Sequence, residues 1–204
     1  MKATKLFNSW VENGKDEGME KNHSASVNEM IKLVPNYILN NSFSFLDFGC
    51  GNGWLVRKFT NYDNCIKSTG IDGASNMIKK AISNDNESKY IQFDLDNIYS
   101  FNQKFDLIMS MEVMYYLKNP ALVINHINKN MLNPGGVFIM GIDFYEENKS
   151  SLSWPSKLDV EMFCANKNKW KDYLSLAGFD KVRIFQFGKK NDWAGTLVLS
   201  GVKI

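Results

Sequence analysis

The residues best suited to chemistry lie in one stretch, Asp47-Phe48-Gly49-Cys50-Gly51-Asn52-Gly53. Its glycines remove Cβ at every second position, so the backbone can turn tightly and a ligand can lie directly against it. The carboxylate two residues ahead of Gly49 would repel a pyrophosphate and attract a cation. Glycine turns that hold dinucleotides are spaced Gly-x-Gly-x-x-Gly; here the spacing is Gly-x-Gly-x-Gly. Asp72-Gly73 follows about twenty residues on, where a carboxylate at a strand end conventionally takes two ribose hydroxyls. Asp72 therefore points to an adenosine-bearing ligand, or else it caps the helix that follows.

A second group of polar residues follows later strands. It comprises Ser110-Met111-Glu112, Tyr115 and Tyr116, then Asp143 and Tyr145. The spacing places them at the C-terminal edge of a parallel sheet, where open α/β sheets bind ligands. His23, well upstream, is the remaining candidate acid or base. Two acids among aromatic rings suit an amine or another cationic small molecule. Glu112 can alternatively serve only to bond the backbone of its own turn.

The elements that must position these groups are legible as periodicity. Short apolar runs predict strands at residues 43–48, 66–71, 90–93, 105–111 and 137–142, with a closing pair at 181–187 and 196–202. Helices are expected at 53–62, 74–82, 119–131 (Leu122, Val123, Ile127 and Met131 inward, His126 at the border) and 170–177. Leu6, Phe7, Trp10 and Val11 share one face of a short N-terminal helix that ends near Asn13-Gly14. Ser26-Val27-Asn28-Glu29 has the form of a capping box and predicts a helix start there, with Pro35 shortening the helix beyond. Residues 144–165 lack periodicity and read as covering for a substrate or as a packed surface excursion.

Taken together, these motifs resemble the class I methyltransferases, which use S-adenosylmethionine (SAM) and release S-adenosylhomocysteine (SAH). The glycine loop is similar to their first motif. Phe105-Asp106-x-Ile108-x-Ser110-x-Glu112-Val113 and Leu132-x-Pro134-Gly135-Gly136 are similar to the branch that includes the ubiquinone and menaquinone biosynthesis enzymes. The resemblance implies a Rossmann-like α/β fold. Its sheet would have seven mostly parallel strands, the last strand antiparallel, and helices on both faces. It further implies that Asp47, Gly49, Cys50, Gly51, Asn52 and Gly53 hold the methionine end of SAM. Asp72 and Gly73 would take the ribose, and Asp94, Leu95 and Met77 the adenine, with Asp96 solvated. Ser110 and Met111 would face the sulfonium. Glu112, Tyr115, Tyr116, Asp143 and His23 are then the catalytic candidates. Many relatives carry a histidine where Tyr116 stands, so this chain departs from them at that position, and no metal is expected. Residues 1–40 would form a helical lid and residues 41–204 the SAM-binding domain.

Composition narrows the partners. A chain of 204 residues and net charge +2 fits one domain without a basic stripe for phosphates. A small-molecule acceptor is expected rather than nucleic acid or membrane, in a cytoplasmic protein; oligomeric state is left open. The three cysteines, Cys50, Cys65 and Cys164, have no metal-ligand spacing. The alternatives are a methyltransferase acting on protein or nucleic acid, a non-catalytic SAM-binding partner subunit and, more remotely, a nicotinamide dehydrogenase.

Overall fold

The computed structural model describes residues 1–204. Seven strands form one sheet in the order β3-β2-β1-β4-β5-β7-β6. They are β1 (Phe43–Phe48), β2 (Cys65–Asp72), β3 (Lys89–Gln92), β4 (Phe105–Met111), β5 (Leu132–Ile142), β6 (Phe179–Phe187) and β7 (Thr196–Lys203). β1 to β5 pair in parallel, and β7 lies antiparallel between β5 and β6. This is the Rossmann-like methyltransferase topology. The order reverses between β1 and β4, so the switch point lies at the C-terminal ends of those strands.

β1 is apolar on both faces because it is central, and all six of its residues are buried. On one face Phe45, Leu107, Met109 and Ile139 pack under α2 (Gly18–Lys32), α3 (Asn36–Leu39) and α4 (Trp54–Thr60). On the other, Phe48, Ile108, Phe138 and Met140 pack with α6 (Pro120–His126) and α8 (Lys167–Leu176). The remaining α-helices are α1 (Ala3–Glu12), α5 (Ser75–Asn84) and α7 (Trp154–Leu158), with α1 against α5.

Two expected details are corrected. Ser26 does not start a helix: α2 begins eight residues earlier at Gly18, without a side-chain cap. The Ser26 hydroxyl instead meets Thr196 Oγ1 at 2.7 Å, tying α2 to β7. Leu122 is 49% exposed, and Ile124 takes the inward place beside Val123. α6 tightens no further after His126 but widens into a π-turn over Ile127–Met131, which shifts the buried stripe.

Candidate functional site

The glycine loop is built as its composition demands. Gly49, Gly51 and Gly53 all have positive φ, at 85°, 51° and 80°. A Cβ on Gly49 would lie 2.2 Å from Val113 Cγ2, and one on Gly51 would lie 2.6 Å from Met19 Cε. The loop closes on β2: the Gly49 and Cys50 amides donate to the Ile71 carbonyl. The Gly51 amide donates to Asp72 Oδ2 (2.9 Å), while Ala74 N–H donates to Asp72 Oδ1 (2.7 Å). Asp72 therefore braces the loop and holds Ala74, the residue before α5, with remaining acceptor capacity toward the cavity it lines.

That cavity, about 1110 Å³, runs over the C-terminal ends of β1, β2, β3 and β4. It brings together Asp47, Gly49, Cys50, Gly51, Asp72, Gly73, Met77, Asp94, Leu95, Met111, Glu112, Tyr115, Tyr116 and His23. Four other candidates lie off it. Asn52 turns away and donates to the Asp16 carbonyl (3.0 Å). Gly53 starts α4 in the left-handed region, with the Tyr90 ring where a Cβ would be. Ser110 Oγ donates to the Phe48 carbonyl (2.9 Å), joining β4 to β1. Asp143 sits behind Glu112, its amide donating to Glu112 Oε1. Tyr145 is also elsewhere, donating to the Gly195 carbonyl (2.9 Å) under the β6–β7 connection. Asp96 is half-buried rather than solvated, and its Oδ1 accepts from Lys118 N–H (2.9 Å).

Asp47 is the electrostatic centre. It is 4% exposed, and its carboxylate has no hydrogen-bond donor among the side chains and amides around it. Burial, then the negative charge of Asp72, pushes its pKa to about 8. A cation placed beside a carboxylate held so unfavourably would favour its charged form. Asp72 is also raised by burial, an effect opposed by its two amide donors. Asp94 is exposed and is fixed by Asn97 Nδ2 (2.7 Å) and the Asp96 amide (3.1 Å).

Glu112 has φ +61°, a conformation disfavoured for any residue with a Cβ. Its amide bonds the Gly141 carbonyl, Tyr115 O–H donates to Oε2 (2.7 Å), and Asp143 N–H donates to Oε1. Burial and the Asp143 charge raise its pKa well above the ordinary range. Asp143 rises to about 6 through burial, offset by the Thr196 hydroxyl. Burial also raises both tyrosines.

The roof comes from segments whose contribution sequence reasoning named only in part. Phe7 of α1 meets Trp10 (5.1 Å) and Tyr116 (5.2 Å), both edge-on. Trp154 and Lys157 of α7 also line the cavity, Trp154 stacking on Trp193 at 6.0 Å. Nothing in the local sequence marks Lys157 or Gln92 as cavity residues. Val113, by contrast, directly follows the Glu112 motif.

The fold is that of the class I methyltransferases. Residues 19–184 match the family described as Methyltransferase domain, and the chain belongs to it. It is 29% identical over 145 residues to the mitochondrial ubiquinone biosynthesis O-methyltransferase of Dictyostelium discoideum, covering 64% of this chain and 43% of that protein. It is 25% identical over 165 residues to the tRNA U34 carboxymethyltransferase of Aliivibrio fischeri, covering 75% and 49%. The chain thus spans about half the length of these relatives. Among solved structures, it shares its fold with a chain from the complex between the Haloferax volcanii Trm112 methyltransferase activator and a methyltransferase. There the TM-score is 0.80, with 22% identity and 96% of both chains covered. No helix is long and apolar enough to cross a membrane.

Proposed function

We propose that the chain transfers a methyl group from SAM to a nitrogen, oxygen or sulfur nucleophile of a small molecule. The observation that carries this is Asp47, a buried carboxylate without a donor beside three left-handed glycines. The methionine ammonium is the cation that such a seat fits. Asp72 would take the ribose hydroxyls; Asp94, the Leu95 amide and Met77, which line the same cavity, would hold the adenine. The missing Cβ atoms let the loop turn tightly beside Asp47, and the methionine chain would lie along that turn. SAM, when bound, supplies an electrophilic methyl on a sulfonium. This chain's work is to orient that methyl past Met111 toward the aromatic end of the cavity, where alignment itself lowers the barrier.

The size and walls of the cavity support a small acceptor. Its volume exceeds the upper end of ordinary single-ligand sites, roughly 1,000 Å³, so cofactor and acceptor can sit together. Phe7, Trp10, Tyr116 and Trp154 roof the acceptor end. They suit a planar or cationic molecule better than a polymer. A macromolecular acceptor is the second reading. It is favoured by the tRNA-modifying relative and by the neighbour solved with the Trm112 activator.

Equilibrium binding of SAM, SAH and NAD to the purified protein tests the cofactor half. SAM and SAH should bind and NAD should not. NAD binding without SAM binding would reverse the assignment.

A further inference from the structure

We propose that His23 is the general base of the transfer, so that the acceptor nucleophile arrives carrying a proton. This rests on the SAM-dependent reading above and goes beyond it by assigning the proton.

The geometry comes from one stripe of α2. Met19, His23, Ser26 and Met30 recur at helical spacing and share a face. Three of the four are placed by contact. Met19 Cε lies over Gly51, in the space that a Cβ there would need. Ser26 Oγ meets Thr196 at the start of β7. Met30 Sδ lies over Gly141, which pairs with Met111 near the end of β4. α2 therefore crosses the C-terminal edge of the sheet from the β1 loop to β5 and β7. His23 lies between its placed neighbours on that stripe and lines the same cavity as Met111 and Glu112. Its ring takes part in none of the protein's side-chain hydrogen bonds that occupy the other candidates.

Those candidates are spent. Glu112 has a donor on each oxygen. Tyr115 is committed to Glu112, and Asp143 lies off the cavity. Burial raises Tyr116, making its phenolate inaccessible at neutral pH. His23 is shifted the other way: burial lowers its pKa, so the imidazole is neutral and able to accept a proton. The cavity it lines also carries acids, among them Asp47, Asp72, Glu112 and Glu161, and the cations Lys2, Lys118 and Lys157. Asp143 lies behind them. No charge among these groups contributes to the shift, which is caused by burial.

The step balances simply. The nucleophile's lone pair forms the bond to the methyl carbon as the carbon–sulfur bond breaks, and that pair stays on sulfur to give SAH. The nucleophile's proton passes to His23 and from there to solvent.

The chain has two histidines, His23 and His126, so proton NMR can follow both imidazoles. His126 is buried against Tyr99 and Asn130 and serves as the internal reference. The protein is titrated with saturating SAM and, separately, SAH, which lacks the sulfonium charge. The sulfonium should weaken proton binding at His23 by about tenfold relative to SAH. Equal titration of His23 in two formed complexes overturns the proposal. Failure of both ligands to bind would instead remove the SAM reading, and this inference with it.

A second measurement uses the small-molecule fraction of a cell extract as acceptor. His23→Asn should bind SAM normally but turn over on the order of 100-fold more slowly. It should lose the acid limb of the pH profile and recover in part with added imidazole. Wild-type turnover and pH profile in His23→Asn overturn the assignment.

Discussion

Asp47 concentrates the site's cost and its purpose in one side chain. Its folded-state pKa, about 8, lies above the ordinary carboxylate value. Between about pH 4 and pH 8 the SAM-free folded chain therefore holds a proton that the unfolded chain has released. Stability contributed by the protonated form is present at low pH and is lost as pH rises toward 8. Asp72, Glu112 and Asp143 shift in the same direction. Each tenfold change in proton affinity is worth about 1.4 kcal/mol. Thermal melts of the SAM-free protein should thus fall between pH 5 and 8, and Asp47→Asn should flatten that fall. The same substitution should weaken SAM binding on the order of 10- to 100-fold, the range of one charge-assisted hydrogen bond. Gly49→Ala should cost about 2 kcal/mol or more in chemical denaturation, because it adds a Cβ at φ +85° against Val113. At this scale much was legible: Asp47, Gly49, Gly51 and Asp72 lie at strand ends or in the loop after one, and all line the cavity. Ser110 and Asp143 were not. Each sits at a strand end, and only the packing of neighbouring strands decides whether it faces the cavity or the next strand.

Among the elements, α2 and the turn after β4 decide the acceptor end. The turn is held open in a disfavoured conformation by Glu112, which anchors Tyr115 and the β5 end together. Glu112→Ala leaves both donors unpaired and should cost about 2–4 kcal/mol in chemical denaturation. If Glu112→Ala lost activity while keeping wild-type stability, Glu112 would be a reacting group and not an anchor. The sequence reading placed the start of α2 at Ser26 because Ser-x-x-Glu there has capping form. The true start at Gly18 has no side-chain cap to read. Ser26 is held by a tertiary partner 170 residues away, Thr196, and such a partner leaves no local trace. The strands were easier, since a run such as Phe43–Phe48 is apolar throughout and fits only a central position.

Across the whole molecule, the N-terminal segment stands over the cofactor end. Asp16 is fully buried, and its carbonyl and carboxylate accept from Asn52 in the glycine loop. Thr4 packs on Gly73 and Met19 on Gly51. We propose that residues 1–40 act as a cover on the domain formed by 41–204, docked through Asn52. Asn52→Ala should then speed amide exchange in α1 and the first turns of α2 by at least tenfold, leaving β4 and β5 unchanged. Exchange that is equal in the variant and the parent would show the segment to be held by its apolar contacts alone. The first helix was visible in the sequence as an amphipathic one. The segment's docking point was not, because Asn52 reads as a loop residue until Asp16, 36 positions away, is brought against it. The most direct test of the account is the fate of methyl-labelled SAM incubated with the protein and a metabolite-containing cell extract. Label should enter the small-molecule fraction and be lost with Asp47→Asn. Label on protein or RNA instead would contradict a small-molecule acceptor.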